Sequence, residues 1–213
     1  MKKIIKRHKD FWSNKDFIIS SIFGAVFFIT GGIIHYNAGI FATANESNFV
    51  TDLLLAHLPV VDVSIIFVDG VILFWVFIII LLLNKPQRIP FVLKNLALFM
   101  IIRSAFIIMT HLGSDPREIT ISPNIIIDKF TFGGDYFFSG HTGAPFLMSL
   151  IFWHNSYLRW LFLLASIIFG VSVLMGHLHY SIDVFSAYFI TYGVFQICLK
   201  FFKKDYQLLT VEF

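Results

Sequence analysis

Apolar runs recur along this chain at lengths that fit a bilayer, and that leaves few folds open. A spanning helix needs about 20 predominantly apolar residues. Stretches of that kind lie near Phe17–Tyr36, Val60–Leu83, Phe91–His111, Phe137–Trp153, Leu158–Gly176 and Tyr180–Phe201. No water reaches the hydrocarbon to satisfy the backbone there, so such runs fold as helices. The expected architecture is all-α: a polytopic membrane protein with six transmembrane helices in one bundle. With 57% hydrophobic and 14% charged residues, the composition is not that of an ordinary soluble domain. One domain, 1–213, is expected, with a basic tail over 1–16 and a second tail over 202–213. Phe41–Leu58 is too polar to span, at Asn45, Glu46, Asn48 and Asp52, and reads as an interfacial helix or lid. Cys198 stands alone, so no disulfide framework is possible. No internal repeat is visible. The first apolar stretch is too long for a signal-peptide core and is expected to be retained.

Charge orients the bundle. Lys2, Lys3, Lys6, Arg7, Lys9 and Lys15 precede the first run, and Lys85, Arg88 and Lys94 surround the turn between the second and third. Arg159 lies between the fourth and fifth, and Lys200, Lys203 and Lys204 close the sixth. Arg117 and Lys129 fall on the opposite side, and Arg103 lies within a run. The positive-inside rule then makes both termini cytoplasmic. The net charge of +3 requires no nucleic-acid partner, because topology and anionic headgroups account for the basic tails.

That crossing count brings two segments to the non-cytoplasmic face: Ser139-Gly140-His141-Thr142 and His179-Tyr180-Ser181-Ile182-Asp183. The long connection from Leu112 to Tyr136 is expected there too, and long loops over a site are more often functional than short turns. On a helix, His179 and Asp183 share a face, so the carboxylate can orient the imidazole. A neutral imidazole oriented in this way can be a nucleophile. A second imidazole, at His141, can protonate a poor alkoxide leaving group, since its pKa lies near operating pH. Free N–H groups at the start of the fourth helix favour phosphate oxygens. Gly140 lets that backbone come close, and Ser139 and Thr142 offer hydroxyl donors. These are the ingredients of phosphoryl–histidine chemistry.

Arg103 is costly in an apolar helix and needs a partner. Two readings stand open: a clamp on phosphoryl oxygens, or a buried ion pair with Asp69, which lies at similar depth on the neighbouring helix. His177 reads as a supporting residue; His35, His57 and His111 read as structural, near helix ends. Lys129 is expected to be solvated, and Asp62 and Asp69 to border the site.

Gly134-Asp135-Tyr136-x-x-Ser139-Gly140-His141-Thr142, followed by His177-x-His179-Tyr180-Ser181-Ile182-Asp183-Val184, resembles the sphingomyelin synthase family, within the type-2 phosphatidic acid phosphatase superfamily of six-helix membrane enzymes. The resemblance runs from about Gly133 to Thr191. It implies that His179 attacks phosphorus, Asp183 orients it and His141 handles leaving-group protons. Asp135 and Tyr180 lie in these motifs and join Ser139, Gly140, Thr142 and Arg103 as candidate substrate or phosphate contacts. The chain departs from the family at Gly133, where cysteine is common, and around Arg103, where Ala97, Met100 and Ile102 stand near expected arginine, glycine and tyrosine positions. Leu58-Pro59-Val60-Val61-Asp62 only echoes an upstream motif. The broader phosphatase signature wants arginine six residues before the nucleophile, and this chain has Val173.

The resemblance implies a head-group transferase. Phosphatidylcholine or phosphatidylethanolamine would donate, and ceramide, diacylglycerol or another lipid alcohol would accept, with no cofactor or metal. A lipid phosphatase or phospholipase C-type hydrolase with the same site is the alternative. A membrane zinc hydrolase using His141, His177, His179 and Asp183, and a transporter, are lesser ones. The expected location is a bacterial cytoplasmic membrane, or the Golgi or plasma membrane of a eukaryotic cell.

Overall fold

The structure, a computed structural model, describes residues 2–121 and 135–210, so Lys129, Gly133 and Gly134 lie outside it. The described residues form helices and loops without strands. The α-helices are α1 (Lys2–Trp12), α2 (Lys15–Ala44), α3 (Val71–Asn84), α4 (Ile89–Met109), α5 (Gly140–Ile151), α6 (Ser156–Met175), α7 (Ser181–Phe201) and α8 (Lys203–Thr210). A π turn, Ile65–Gly70, leads into α3, and a 3-10 turn, Pro86–Arg88, leads into α4. Five of the expected runs form helices long and apolar enough to cross a membrane, now bounded as Lys15–Ala44, Ile65–Asn84, Pro86–Met109, Ser156–Met175 and Ser181–Phe201. The stretch expected over Phe137–Trp153 is helical only in α5, which at 1.5 Å per residue measures roughly 18 Å. Ser139 caps its start, accepting from the Thr142 amide, and the chain before Ser139 is held in another conformation by Arg103.

The helix α2 runs past the expected end at Tyr36 because its packing seam continues. Its inward positions Phe17, Ser21, Gly24, Gly31, Ala38 and Ala42 fall at spacings of three, four and seven, a heptad stripe of mostly small residues. Small side chains let two backbones close without a hydrophobic driving force, which lipid does not supply. The partner is α4: a Cβ on Gly24 would lie 3.3 Å from the Pro90 carbonyl oxygen, and one on Gly31 3.0 Å from that of Ala97. Gly31→Leu is therefore expected to separate α2 from α4 and cost about 1–3 kcal/mol. A detergent-solubilised melting temperature unchanged from wild type would contradict this packing.

The tail expected over 1–16 contains the amphipathic helix α1. Ile4, Ile5, His8, Phe11 and Trp12 share one arc, opposite Lys6, Lys9 and Asp10. It docks on the end of α3, where Arg7 Nη1 donates to the Asn84 carbonyl (3.1 Å) and His8 Nε2 lies 2.7 Å from the Leu83 carbonyl. Basic groups suit the negative end of a helix dipole. On the same side Lys94, itself buried, bonds Asp205 at 2.6 Å and Ser20 at 2.7 Å, fastening α4 to α8 and α2.

The core is centred on α5, whose Leu147, Met148 and Ile151 are fully buried between α6 and α7. The Ser166 hydroxyl of α6 donates to the Thr142 carbonyl at 2.8 Å, fixing the start of α5 against the middle of α6. At the periphery, α3 packs Phe74 edge-on against Phe162 and Phe169.

The link between α6 and α7 shapes the site. Leu178 N–H donates to the Val173 carbonyl (2.9 Å) and His177 N–H to that of Leu174 (3.1 Å), the paired bonds of a Schellman end. The residue this places in the left-handed region, φ 56°, is His177 rather than the usual glycine. Its buried ring lies between Asp115 (Nδ1 to Oδ2, 3.3 Å) and the Leu58 carbonyl (Nε2 to O, 3.4 Å). Those contacts tie the loops at Asp115 and Leu58 to the end of α6, a supporting place.

No helix continues beyond Ala44 into the stretch expected as an interfacial helix or lid. Residues 45–58 are loop and turn, and they tie down the start of α7. Asp52 Oδ2 accepts from the Ser181 amide (2.7 Å) and hydroxyl (2.8 Å), and the Val50 amide donates to the Tyr180 hydroxyl (3.2 Å).

Candidate active site

Asp183 is the hinge of the site. It is the third residue of α7, fully buried, and its Oδ2 reaches back to accept from the Tyr180 amide at 2.9 Å, a capping box closed by Tyr180 as N-cap. The same oxygen lies 3.4 Å from His179 Nδ1. His179 precedes the helix, so the two side chains do not meet along a helical face as expected. They meet because the first-turn carboxylate folds back over the cap. Its geometry suits an Nδ1–H donating to the carboxylate and leaves Nε2 outward; the bond is long, and such bonds tighten when substrate binds.

Across the gap stands His141 in the first turn of α5, its ring centroid 6.5 Å from that of His179. The Ser139 amide donates to the Asp183 carbonyl at 3.0 Å, which locks the start of α5 to the start of α7. The amides of Gly140 and His141 are first-turn donors that a helix cannot satisfy internally. Pro145, which has no N–H, also leaves the His141 carbonyl without its intrahelical partner. The hydroxyls of Ser139 and Thr142 bond each other at 3.2 Å, and both residues are fully buried. They build the turn more directly than they could contact a ligand. The Tyr180 hydroxyl likewise donates to the Gly113 carbonyl at 2.6 Å, and that side chain is buried.

Arg103 corrects one expectation. Its partner is Asp135, not Asp69, which is exposed. Nη1 lies 2.8 Å from the Asp135 carboxylate and 3.1 Å from His35 Nε2, Nη2 donates to the Asp135 carbonyl (3.2 Å), and Nε to the Phe138 carbonyl (2.7 Å). Three of its five N–H donors thus shape the segment before α5, and a fourth lies against His35 of α2. The guanidinium also packs behind Gly140, where a Cβ would lie 3.3 Å from Nε. Lysine keeps the charge but not the planar fork. Arg103→Lys is expected to lower turnover roughly tenfold and to destabilise the fold by about 2 kcal/mol through carbonyls left unpaired; full turnover in the variant would remove Arg103 from the site's framework.

His57 and His111 fold back on nearby carbonyls, of Leu53 and Ile108, and His35 contacts Arg103 and Ser104. Asp62 is exposed and bonds Ser64, so it lies in a local turn.

The sequence reading missed Glu118. Its Oε2 accepts from the Tyr136 hydroxyl at 3.1 Å, and the Tyr136 ring stands edge-on to His179 at 6.1 Å. Burial pushes the Glu118 carboxyl above its ordinary pKa, while the Tyr136 hydroxyl and nearby His179 pull it back. Burial, then the Glu118 charge, push the Tyr136 phenol upward in turn. Beside them Arg117 holds Asp115 down to about 2, against the opposing cost of burial. A glutamate in a charged loop carries no motif, so only its folded position marks it. Among the described residues, no three His, Cys, Asp or Glu side chains converge as metal ligands.

A family model, the PAP2 superfamily C-terminal region, matches residues 133–200, a span holding His141, His179 and Asp183. No curated protein and no solved structure matches the chain. Over that span, about a third of the chain, the sequence is similar to the C-terminal region of the PAP2 superfamily, whose members are typically lipid phosphatases and phosphotransferases.

Proposed function

We propose that this chain is an integral-membrane lipid head-group phosphotransferase working through a phosphohistidine. The observation that carries the reading is the carboxylate-backed His179 facing His141 across 6.5 Å, a gap that suits one phosphoryl group between two imidazoles. In the first step His179 Nε2 bonds to the phosphorus of phosphatidylcholine or phosphatidylethanolamine. The phosphorus–oxygen bond to diacylglycerol breaks, and that oxygen takes a proton from His141. In the second, His141 removes the hydroxyl proton of ceramide or another lipid alcohol. The new alkoxide attacks phosphorus, and His179 leaves. The α5 amides and the adjoining arginine stabilise the charge on the phosphoryl oxygens. The site faces the non-cytoplasmic side, with α5 as the short fourth of six crossings and both termini cytoplasmic. A second reading, hydrolysis by water in place of the alcohol, is favoured by the match to the phosphatase superfamily as a whole.

The deciding experiment supplies liposomes holding head-group-labelled phosphatidylcholine and phosphatidylethanolamine, with and without ceramide. Label moving to ceramide identifies the transferase. Label entering water regardless of ceramide identifies the hydrolase. Absence of His179-dependent turnover of either lipid would refute both.

A further inference from the structure

His179 has a carboxylate to orient it, and His141 has none: among the described residues no Asp or Glu lies within ion-pairing distance of its ring. An imidazole that must give a proton to one oxygen and take one from another still needs a fixed plane. The ring of Phe67 lies on it face to face, with centroids 4.0 Å apart and planes 18° from parallel. Phe67 is buried and belongs to the cluster that includes Tyr136 and Tyr180.

A local departure from α geometry puts it there. Phe67 sits within the π turn Ile65–Gly70, which takes up an extra residue at the head of α3. In a regular helix one residue is about 100° of rotation, so straightening this turn would carry Phe67 off His141. Gly70 permits the wider turn to sit close: a Cβ there would lie 3.0 Å from Phe169 Cε1 of α6. π turns occur often at functional sites.

We propose that Phe67 is a positioning residue for His141, its ring holding the imidazole plane by stacking while its backbone accepts a hydrogen bond from one ring nitrogen and leaves the other for proton transfer. This rests on His141 being the proton carrier of the proposed reaction. The titratable and charged groups around it are His179 across the gap and Arg103 behind Gly140; Phe67 adds no hydrogen-bonding side chain to that set.

The test compares Phe67→Leu, which removes the ring, with Phe67→Tyr, which keeps it. Phe74→Leu, at a comparably buried position lower on α3, is the control for lost packing. Two readouts are needed. In the purified protein, the ring protons of His141, assigned through His141→Gln, should move downfield in Phe67→Leu as the ring current disappears, and stay in place in Phe67→Tyr. In the lipid assay, kcat should fall roughly five- to tenfold in Phe67→Leu with KM unchanged. Phe67→Tyr should recover it, and Phe74→Leu should lower thermal stability but not kcat. Equal kcat losses in both leucine variants, or no recovery with tyrosine, would overturn the positioning role. Unmoved His141 resonances would overturn the stacking itself. A wild type without His179-dependent turnover would count against the proposed reaction, and the resonance readout would still judge the stack.

Discussion

His179→Ala is expected to abolish lipid turnover, with a loss of about 10⁴-fold or more. Covalent catalysis splits one hard displacement into two easier ones, and no neighbouring group can replace the attacking nitrogen. Deleting a nucleophile that acts with its partners as a unit costs about as much as deleting the set. The fold should survive, because the His179 ring supplies no cap and Asp183, its hydrogen-bond partner among the described residues, keeps the Tyr180 amide. The measurement is initial rate in liposomes beside a melting curve. Trapping labelled phosphoprotein from wild type, and none from the variant, would tie the loss to the covalent step. A variant that kept more than a few per cent of wild-type rate would remove His179 as nucleophile.

Asp183 should give the second large effect, and two substitutions separate its two duties. Asp183→Asn keeps an oxygen able to accept from the Tyr180 amide but loses the charge that selects the His179 tautomer. Where a carboxylate orients a catalytic histidine, the matching amide exchange costs about 10⁴ in kcat, and here a loss of roughly 10²–10⁴ is expected with little change in stability. Asp183→Ala removes both duties, and stability should also fall by about 1 kcal/mol, the worth of a helix cap. Equal melting temperatures for the two variants would mean that the capping bond contributes nothing. A rate loss in alanine alone would mean that the carboxylate only caps.

The catalytic candidates were legible because their chemistry is carried by residue type. Two histidines and an aspartate at the mouths of apolar runs have few other uses together, and the match over 133–200 spans all three. Geometry was less legible. The four-residue spacing from His179 to Asp183 suggested a helical face, yet α7 begins at Ser181 and the pair meets through the capping box. Arg103 had one plausible acid at its level in the sequence, Asp69, and sequence cannot say that the chain before α5 folds Asp135 under it. The end of α2 was set eight residues too early, at Tyr36 rather than Ala44, because His35 and Asn37 look like an exit while the small-residue seam continues through Ala38 and Ala42. Hydropathy also lengthened α5, since Phe137 and Phe138 are apolar but lie outside the helix.

The short α5 has a consequence for depth. Thr142, next to His141, is bonded to Ser166 and lies beside Gly170, whose Cβ would come 3.3 Å from the Thr142 hydroxyl. Ser166 and Gly170 precede the end of α6, Met175, by nine and five residues, or roughly 7–13 Å along the axis. The start of α5, and His141 with it, therefore lies below a rim formed by the end of α6, while His179 follows that end in the link to α7. On the proposed reading, a phospholipid whose phosphate stands level with the end of α6 has to move inward by that depth, a sizeable part of the roughly 30 Å hydrocarbon thickness, to meet His141. Reaction rate should consequently track bilayer thickness: a thinner membrane brings the rim down to His141 and shortens the descent.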